Sequence, residues 1–333
     1  MVRLFEQGEA RQDLFDIIKA NCRFPDMSMG DLWASIAALR VGERRMEDLL
    51  ERYGKSDVLQ SMEELFTYCE TMMRRELANL PKGVFEAEDV IDQDGLGNGP
   101  FPVQVKVTIT DDEFLIDFTG SSLQTPGPIN VSPLALNSAA RCAFHAITNP
   151  QVPANAGAFR PLRVICPEGT VFSAKRPAPI STYYEGMAHA VELVWKALAP
   201  HVEHRVTAGH MISTCVTIIS GLHPVNHDFF VYVETLPGGW GAGHDKDGVD
   251  GTGCVANGET YNIPVEVKET KFGFRVRRYE FNGEVGGAGQ YRGGKGMVLE
   301  YEITAEFATL TGIFGRHVTP PWGLNGGGNG TCN

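Results

Sequence analysis

The spacing of the apolar residues changes at Gly83, and this change divides the chain into two kinds of secondary structure. Before Gly83 the apolar residues recur at the intervals of a helix that buries one face. After it, apolar and polar residues alternate, as they do in strands with one buried face. The sequence therefore predicts an α+β fold, with a helical segment at 1–82 and a mixed domain at 83–333.

The helical segment is expected to contain three helices. The first ends before Pro25, because proline does not continue a helix. Turn and capping groups at Ser28, Gly30 and Asp31 are expected to precede the second, and Gly54 ends it. The third begins near residue 56 and closes before the proline at 81.

The domain at 83–333 is predicted to consist of largely antiparallel sheets, a few packed helices and glycine-rich loops. The strands are predicted at 85–91, 103–110, 114–118, 162–166, 229–234, 274–281 and 297–304. Two helices are predicted, at 135–147 and 183–198.

The composition excludes several classes of protein. The 333 residues carry 41 acidic and 29 basic side chains, a net charge of −12, whereas nucleic-acid binding needs clustered positive charge. No run approaches the ~20 apolar residues that span a bilayer, and the first residues lack the apolar core of a signal peptide. Seven scattered cysteines without a C-x-x-C pair fit reduced thiols. We therefore expect a cytoplasmic protein without a nucleic-acid or membrane partner.

The segment from Gly289 to Gly296 differs from a phosphate-binding P-loop at one position. A P-loop requires Ser or Thr after its lysine, because that hydroxyl ligates Mg²⁺, and here Gly296 follows Lys295. A P-loop also opens a helix, whereas residues 297–303 alternate as in a strand. We interpret the segment as a tight strand connection and expect no nucleotide site in this chain.

The histidines and aspartates are not spaced in the sequence as the ligands of a metal site usually are. Two groups of histidines are close in sequence: His201, His204 and His210, and His223 with His227. A metal site needs three or more converging ligands, so we expect core or surface histidines and no metal bound by this chain. Two Asp-Gly segments, 92–95 and 245–251, lack the oxygen ligand at the fifth position of a calcium loop and are interpreted as turns.

Two segments carry a family resemblance: TDDEFLIDFTGSSLQTPGPIN at 110–130 and NAGAFRPLRVICPEG at 155–169. They resemble the hydantoinase B family, which includes the second subunit or domain of ATP-dependent hydantoinases and 5-oxoprolinases. Further matches at 30–54, 264–269 and 286–303 extend the resemblance over nearly the whole chain. The opening VRLFEQGE resembles an interior segment of the family. We therefore expect that a family region upstream is missing and that the domain continues beyond residue 333.

The resemblance implies a chain that acts within a complex. In such a complex a hydantoinase A-type partner binds ATP and Mg²⁺, and ATP activates the carbonyl of a cyclic amide by O-phosphorylation. The C–N bond of a hydantoin, 5-oxoproline or lactam is then hydrolysed near a divalent metal held by the upstream region. This chain would bind no cofactor itself and be inactive alone. Two alternatives stay open: a subunit of an ATP-dependent ketone carboxylase, whose α-subunits resemble the family, and a non-catalytic scaffold subunit.

The resemblance also directs attention to a few residues on the substrate side. They are Asn130, Arg160, Glu185 and His244, together with the loop glycines Gly238, Gly239 and Gly241. Arg160 could equally form a structural ion pair, and Glu185 could be a helix-start charge favoured by the helix dipole. Around Glu185 the sequence departs from the family, because Tyr183 and Tyr184 replace small residues and Asn. Catalytic residues are not identified.

Overall fold

The computed structural model describes residues 2–255, 257, 260–283 and 285–333. The chain forms two compact units, with the boundary between Thr67 and Tyr68. The α+β class is confirmed, since helices accompany small and mostly antiparallel sheets. The predicted domain boundary at 82/83 stays a prediction. Across the described ranges, every helix is too short or too polar to cross a lipid bilayer.

The first unit begins with a short hairpin and continues as helices. Strands β1 (Phe5–Glu6) and β2 (Glu9–Ala10) pair across Gln7 and Gly8, which adopt positive φ angles of 50° and 86°. The sequence analysis missed this hairpin because strands of two residues have no periodicity to detect. Three helices follow along the chain: α1 (Gln12–Asn21), α2 (Pro25–Tyr53) and α3 (Lys55–Asn79). The boundary between the two units lies within α3.

Helix α2 begins earlier than predicted. Pro25 is its first helical residue, where a missing N–H costs nothing because that position has no partner within the helix. The predicted turn at Ser28, Gly30 and Asp31 is therefore wrong, and these residues lie within the first turns of α2. At the other end Gly54 ends the helix with a φ of 79°, as predicted.

The second unit is built on a four-stranded sheet covered by two helices. The elements are β3 (Gly83–Ile91), β4 (Phe101–Ile109), β5 (Phe114–Asp117), β6 (Leu162–Ile165), α4 (Pro133–Ile147) and α5 (Tyr183–Leu198). The strand order is β3-β4-β5-β6, antiparallel except for the last pair. Alternate residues of β4 are buried, Val103, Val105 and Val107 among them, and form the main core with α4 and α5. These elements lie within a few residues of their predicted positions.

The rest of the second unit holds two smaller sheets. The elements are β7 (Val216–Leu222), β8 (Phe229–Thr235), α6 (Val265–Lys271), β9 (Phe274–Phe281), β10 (Met297–Ile303) and β11 (Ala308–Ile313). One sheet has the order β11-β7-β8, and β9 pairs with β10 in the other. Strands β8, β9 and β10 were predicted, whereas β7, β11 and α6 were missed. Around these strands a second core forms from Ile219, Phe230, Tyr232 and Phe274.

Candidate functional site in a glycine-rich cavity

A cavity of about 540 Å³ lies among the loops of the second unit. Its wall comes mainly from three glycine-rich segments within 236–244, 286–297 and 321–333. Sixteen of the described lining residues are glycines, so backbone amide groups rather than side chains form much of the surface. The aromatic part of the wall consists of Trp240, Tyr291, Phe314 and Trp322. The volume is within the range of small-molecule binding sites.

Several glycines in this wall are required because the loops pass one another at backbone contact distance. A Cβ atom on Gly239 would lie 2.1 Å from the carbonyl oxygen of Gly294, and one on Gly241 would lie 2.0 Å from that of Ala208. The loops are also joined by hydrogen bonds, such as that from the N–H of Gly294 to the carbonyl oxygen of Trp240 (2.8 Å). The wall therefore excludes any side chain at these positions.

Trp240 is held in the wall from two sides. Its indole N–H donates to the carbonyl oxygen of Gly253 at 2.7 Å. Its ring stacks on the imidazole of His210, with centroids 4.5 Å apart and an interplanar angle of 26°. A large side chain fixed in this way presents a rigid apolar surface to the cavity.

His210 connects this wall to a buried ionic cluster. The backbone N–H of Val255 donates to Nε2 of His210 (3.1 Å), so Nδ1 carries the ring proton and faces Oε1 of Glu192 at 3.0 Å. The other carboxylate oxygen of Glu192 accepts from Arg316, which also donates to both oxygens of Asp89 at 2.7 and 3.1 Å. Glu192, His210, Arg316 and Asp89 are all buried. The cluster therefore ties strand β3 and helix α5 to the loops around the cavity.

Burial and the contacts within the cluster shift the pKa values of several of its side chains. Burial opposes ionisation of Glu192, but its contacts with His210 and Arg316 lower its pKa to about 2. Burial likewise opposes the Asp89 charge, and the hydrogen bonds from Arg316 keep its pKa below the usual range. Burial, together with the charge of Arg316, lowers the pKa of the nearby His189 to about 4. The carboxylates are therefore charged and His189 is neutral at neutral pH.

Of the residues singled out from the sequence, His244 and the three loop glycines Gly238, Gly239 and Gly241 line the cavity. The His244 side chain is 43% exposed, and its Nδ1 lies 3.5 Å from Oδ1 of Asp245. Its ring also meets that of His204, with centroids 5.6 Å apart. The role of these residues toward a substrate stays a prediction.

Asn130 lies away from the cavity, inside a turn. Its Nδ2 donates to the carbonyl oxygens of Thr125, Gly127 and Pro179 at 2.8–2.9 Å, and its Oδ1 accepts from the N–H of Thr125 at 2.8 Å. Because the side chain is completely buried and makes four hydrogen bonds, it holds the turn. A substrate contact by Asn130 has no support in this arrangement.

Glu185 and Arg160 also lie outside the cavity lining. Glu185 is buried in the first turn of α5, where Oε1 accepts from the N–H and the hydroxyl of Thr214 at 3.0 and 2.9 Å, and burial raises its pKa. Arg160 forms an ion pair with Glu70 at 2.9 Å. The structure thus brings His244 and the glycines together and leaves Asn130, Glu185 and Arg160 apart from them.

Sequence reasoning missed Glu192, His210 and Arg316 as residues behind the cavity wall. For Glu192 a signal was available, because it is a carboxylate within a helix whose neighbours Val191 and Leu193 are apolar. A buried charge of this kind needs a partner. For Arg316 there was no local signal, since its partners are 124 and 227 residues away in sequence.

The segment that resembles a P-loop is a strand connection, as predicted. It leads into β10 at Met297 rather than into a helix. Asp250 fixes it by accepting from the guanidinium of Arg292 (2.9 and 3.2 Å) and from the backbone N–H of Lys295 (2.7 Å). The Asp-Gly turn at 92–95 is similarly fixed, since Asp94 accepts from several neighbouring N–H and hydroxyl groups.

The histidines that are close in sequence do not converge. His201 packs against Phe85 with ring centroids 4.7 Å apart, His204 lies against His244, and His210 is buried against Glu192. Within the described ranges, no group of three or more His, Cys, Asp or Glu side chains is placed to share a metal ion.

Comparison with known proteins identifies relatives along the whole chain. The profile of the family described as hydantoinase B/oxoprolinase matches residues 1–333. Caprolactamase subunit beta from Pseudomonas jessenii is 30% identical over 338 residues, which cover 98% of this chain and 57% of that subunit. The chain thus spans little more than half the length of this relative.

Two solved structures share the fold. The crystal structure of ATP-dependent caprolactamase from Pseudomonas jessenii matches with a TM-score of 0.87 and 29% identity, covering 96% of this chain and 56% of that chain. A nucleotide-free acetone carboxylase structure matches with a TM-score of 0.87 and 17% identity, covering 100% of this chain and 46% of that chain. At the latter identity the likeness shows the fold alone.

Proposed function

The chain belongs to the hydantoinase B/oxoprolinase family, and from this premise we propose that it is the B-type component of an ATP-dependent hydrolase of cyclic amides. In this proposal the glycine-rich cavity receives the cyclic amide. The lining is the observation that carries the proposal, because it combines backbone amide groups with the aromatic faces of Trp240 and Trp322. A cyclic amide presents a carbonyl, an N–H group and an apolar ring, which such a lining complements.

The residues of this chain bind and orient the ring in this proposal. Trp240 is fixed by Gly253 and His210, so binding against it costs little conformational entropy. Because the glycine loops pack closely against one another, the cavity is already formed before the ring binds. The aromatic walls exclude water from the apolar edge of the ring and leave its amide facing the backbone groups.

ATP is assigned to a separate hydantoinase A-type component. The caprolactamase from Pseudomonas jessenii is described as ATP-dependent, and its matching chain as a subunit. In this chain the segment 289–296 does not fit an ATP phosphate site, because it leads into a strand and Asp250 engages its Arg292. The side chains in the described ranges do not fit a metal either. The proposal therefore includes no step through a nucleotide or metal held by this chain.

A cavity-filling substitution tests the assignment of the cavity. A Cβ on Gly296 has no atom within 4 Å, and the residue lines the cavity, so Gly296→Leu adds a bulky side chain at the lining without a clash at its Cβ. We predict that the complex with the ATP-binding component then loses about tenfold or more in kcat/KM for caprolactam or hydantoin, by steric exclusion of the ring. ATP-dependent formation of the ring-opened product is the measurement.

Gly283→Leu is the matched control. Gly283 also has no atom within 4 Å of an added Cβ, but it does not line the cavity. This variant is expected to retain activity. Equal activity of the two variants would contradict the cavity as the substrate site, and product formation that requires bicarbonate would favour a carboxylase.

A further inference from the structure

The part of the cavity lining that the structure describes carries few charged side chains. Among the lining residues that the structure describes, there is no lysine or arginine. Glu203 contributes a carboxylate, whose Oε2 accepts from the Nδ2 of Asn325 at 2.8 Å. His244 is the one histidine among the described lining residues, and it lies next to Asp245.

Two arginines close to the lining segments are already engaged, and Lys295 is not among the residues that line the cavity. Arg292 lies within one of these segments, but its guanidinium donates to both oxygens of Asp250. Its Nε also lies 3.5 Å from Asp247. Arg205, close in sequence to the lining residues Glu203 and Ala208, donates to the carbonyl oxygens of Ile147 and Thr148 at 2.8 and 2.6 Å. A carboxylate in the cavity would therefore find no lysine or arginine among the described lining residues to neutralise it.

Backbone N–H groups could replace a cation, but many of them are also engaged. Among the lining glycines, eight donate their N–H to a backbone carbonyl: Gly209, Gly238, Gly243, Gly293, Gly294, Gly327, Gly328 and Gly330. A carbonyl oxygen has two lone pairs, so it can still accept a second hydrogen bond. The lining is consequently richer in available acceptors than in donors, which suits ring N–H groups better than an anion.

We propose that this cavity selects cyclic amides that carry no carboxylate, such as a plain lactam or a hydantoin, over 5-oxoproline and related ring carboxylates. The proposal rests on the proposed function and specifies its substrate class. Three observations support it: the described lining residues include no lysine or arginine, Glu203 contributes a carboxylate, and many backbone N–H groups are already engaged. The net charge of the chain, −12, acts in the same direction.

Two ligands that differ only in the carboxylate provide the test. 2-Pyrrolidone is 5-oxoproline without its carboxylate, and calorimetric titration of the full chain measures the affinity for each. We expect 2-pyrrolidone to bind about tenfold more tightly, the effect of roughly one unfavourable charge interaction near a surface. Equal or tighter binding of 5-oxoproline would overturn the inference and leave the cavity as the cyclic-amide site. Binding of neither ligand would contradict the proposed function as well.

Charge substitutions in the lining make the test specific for the cavity. Gln290 is an exposed lining residue, so Gln290→Lys adds a cation to a lining whose described residues include no lysine or arginine. We expect this variant to shift the affinity ratio toward 5-oxoproline about fivefold, and Glu203→Gln to shift it in the same direction. Gln290→Met, which changes the side chain without adding charge, controls for shape. An unchanged ratio in Gln290→Lys would overturn the inference.

Discussion

Replacing a single residue of the buried ionic cluster is expected to change the stability of the protein strongly. Arg316 is 1% exposed and is the shared partner of two buried carboxylates, those of Asp89 and Glu192. A buried ion pair adds little net stability, but removing one partner leaves an uncompensated charge. The cluster therefore ought to be far more sensitive to substitution than ion pairs at the surface.

Arg316→Leu tests this sensitivity. It removes the guanidinium that the two buried carboxylates share and leaves Asp89 only its longer ion pair with Lys196 (3.7 Å), so we predict a loss of about 3–5 kcal/mol in the free energy of unfolding. Chemical denaturation measures the change. Arg277→Leu is the control, because it breaks an ion pair with Glu302 whose side chains are about half exposed, and we predict a change within about 1 kcal/mol. Similar losses in both variants would contradict the account of the cluster.

His189 gives the stability a defined dependence on pH. Its pKa is about 4 in the folded protein, against about 6.5 for an unperturbed histidine. As the pH falls through 6.5, the unfolded state takes up a proton that the folded state does not, so stability decreases until about pH 4. We predict a loss on the order of 3 kcal/mol from this group.

His189→Gln isolates this contribution, since glutamine does not titrate. Denaturation of both proteins between about pH 6.5 and pH 4 should show a shallower loss in the variant. Glu192 and Asp94 have pKa values of about 2, so their contributions to stability are lost only as the pH falls below about 4.5. Both residues are present in both proteins, so they do not produce a difference between the two curves. Parallel curves would show that His189 is not buried in its neutral form.

At the scale of elements, the sequence predicts what depends on local pattern. Strand β4 has buried residues at alternate positions and lies within two residues of its predicted bounds. Strand β11 was missed because its place in the sheet depends on β7, about 90 residues earlier, and each of these strands contains a glycine that weakens the local signal. The site follows the same rule. His244 and the loop glycines have a local signal, whereas the Arg316 cluster arises only from long-range packing.

The loop at 238–243 allows a matched test of the crowded wall. A Cβ on Gly241 would lie 2.0 Å from the carbonyl oxygen of Ala208, whereas the nearest atom to one on Gly243 is the Lys246 Cγ, 3.5 Å away. We predict that Gly241→Ala lowers the free energy of unfolding by about 1–3 kcal/mol through overpacking. Gly243→Ala should change it by less than about 0.5 kcal/mol. Chemical denaturation of the two variants measures the difference, and equal effects would contradict the close backbone approach.

At the scale of the molecule, the cavity depends on segments from a long stretch of chain. Its lining extends from Glu203 to Asn333, so it forms only when the second unit has folded. The buried cluster joins β3 and α5 to the same loops, which links the main core to the proposed site. The matched caprolactamase subunit is nearly twice as long as this chain. Activity is therefore proposed for a complex rather than for the cavity alone.

The most direct test of the central claim is hydrolysis of a cyclic amide by this chain together with a hydantoinase A-type ATP-binding component. Caprolactam, hydantoin and 5-oxoproline are supplied with Mg-ATP, and ring-opened product and ADP are quantified with each component omitted in turn. The account predicts that product forms only when ATP and both components are present. Undiminished product formation without this chain, or no ATP-dependent ring opening of any of the three compounds by the mixture, would contradict it.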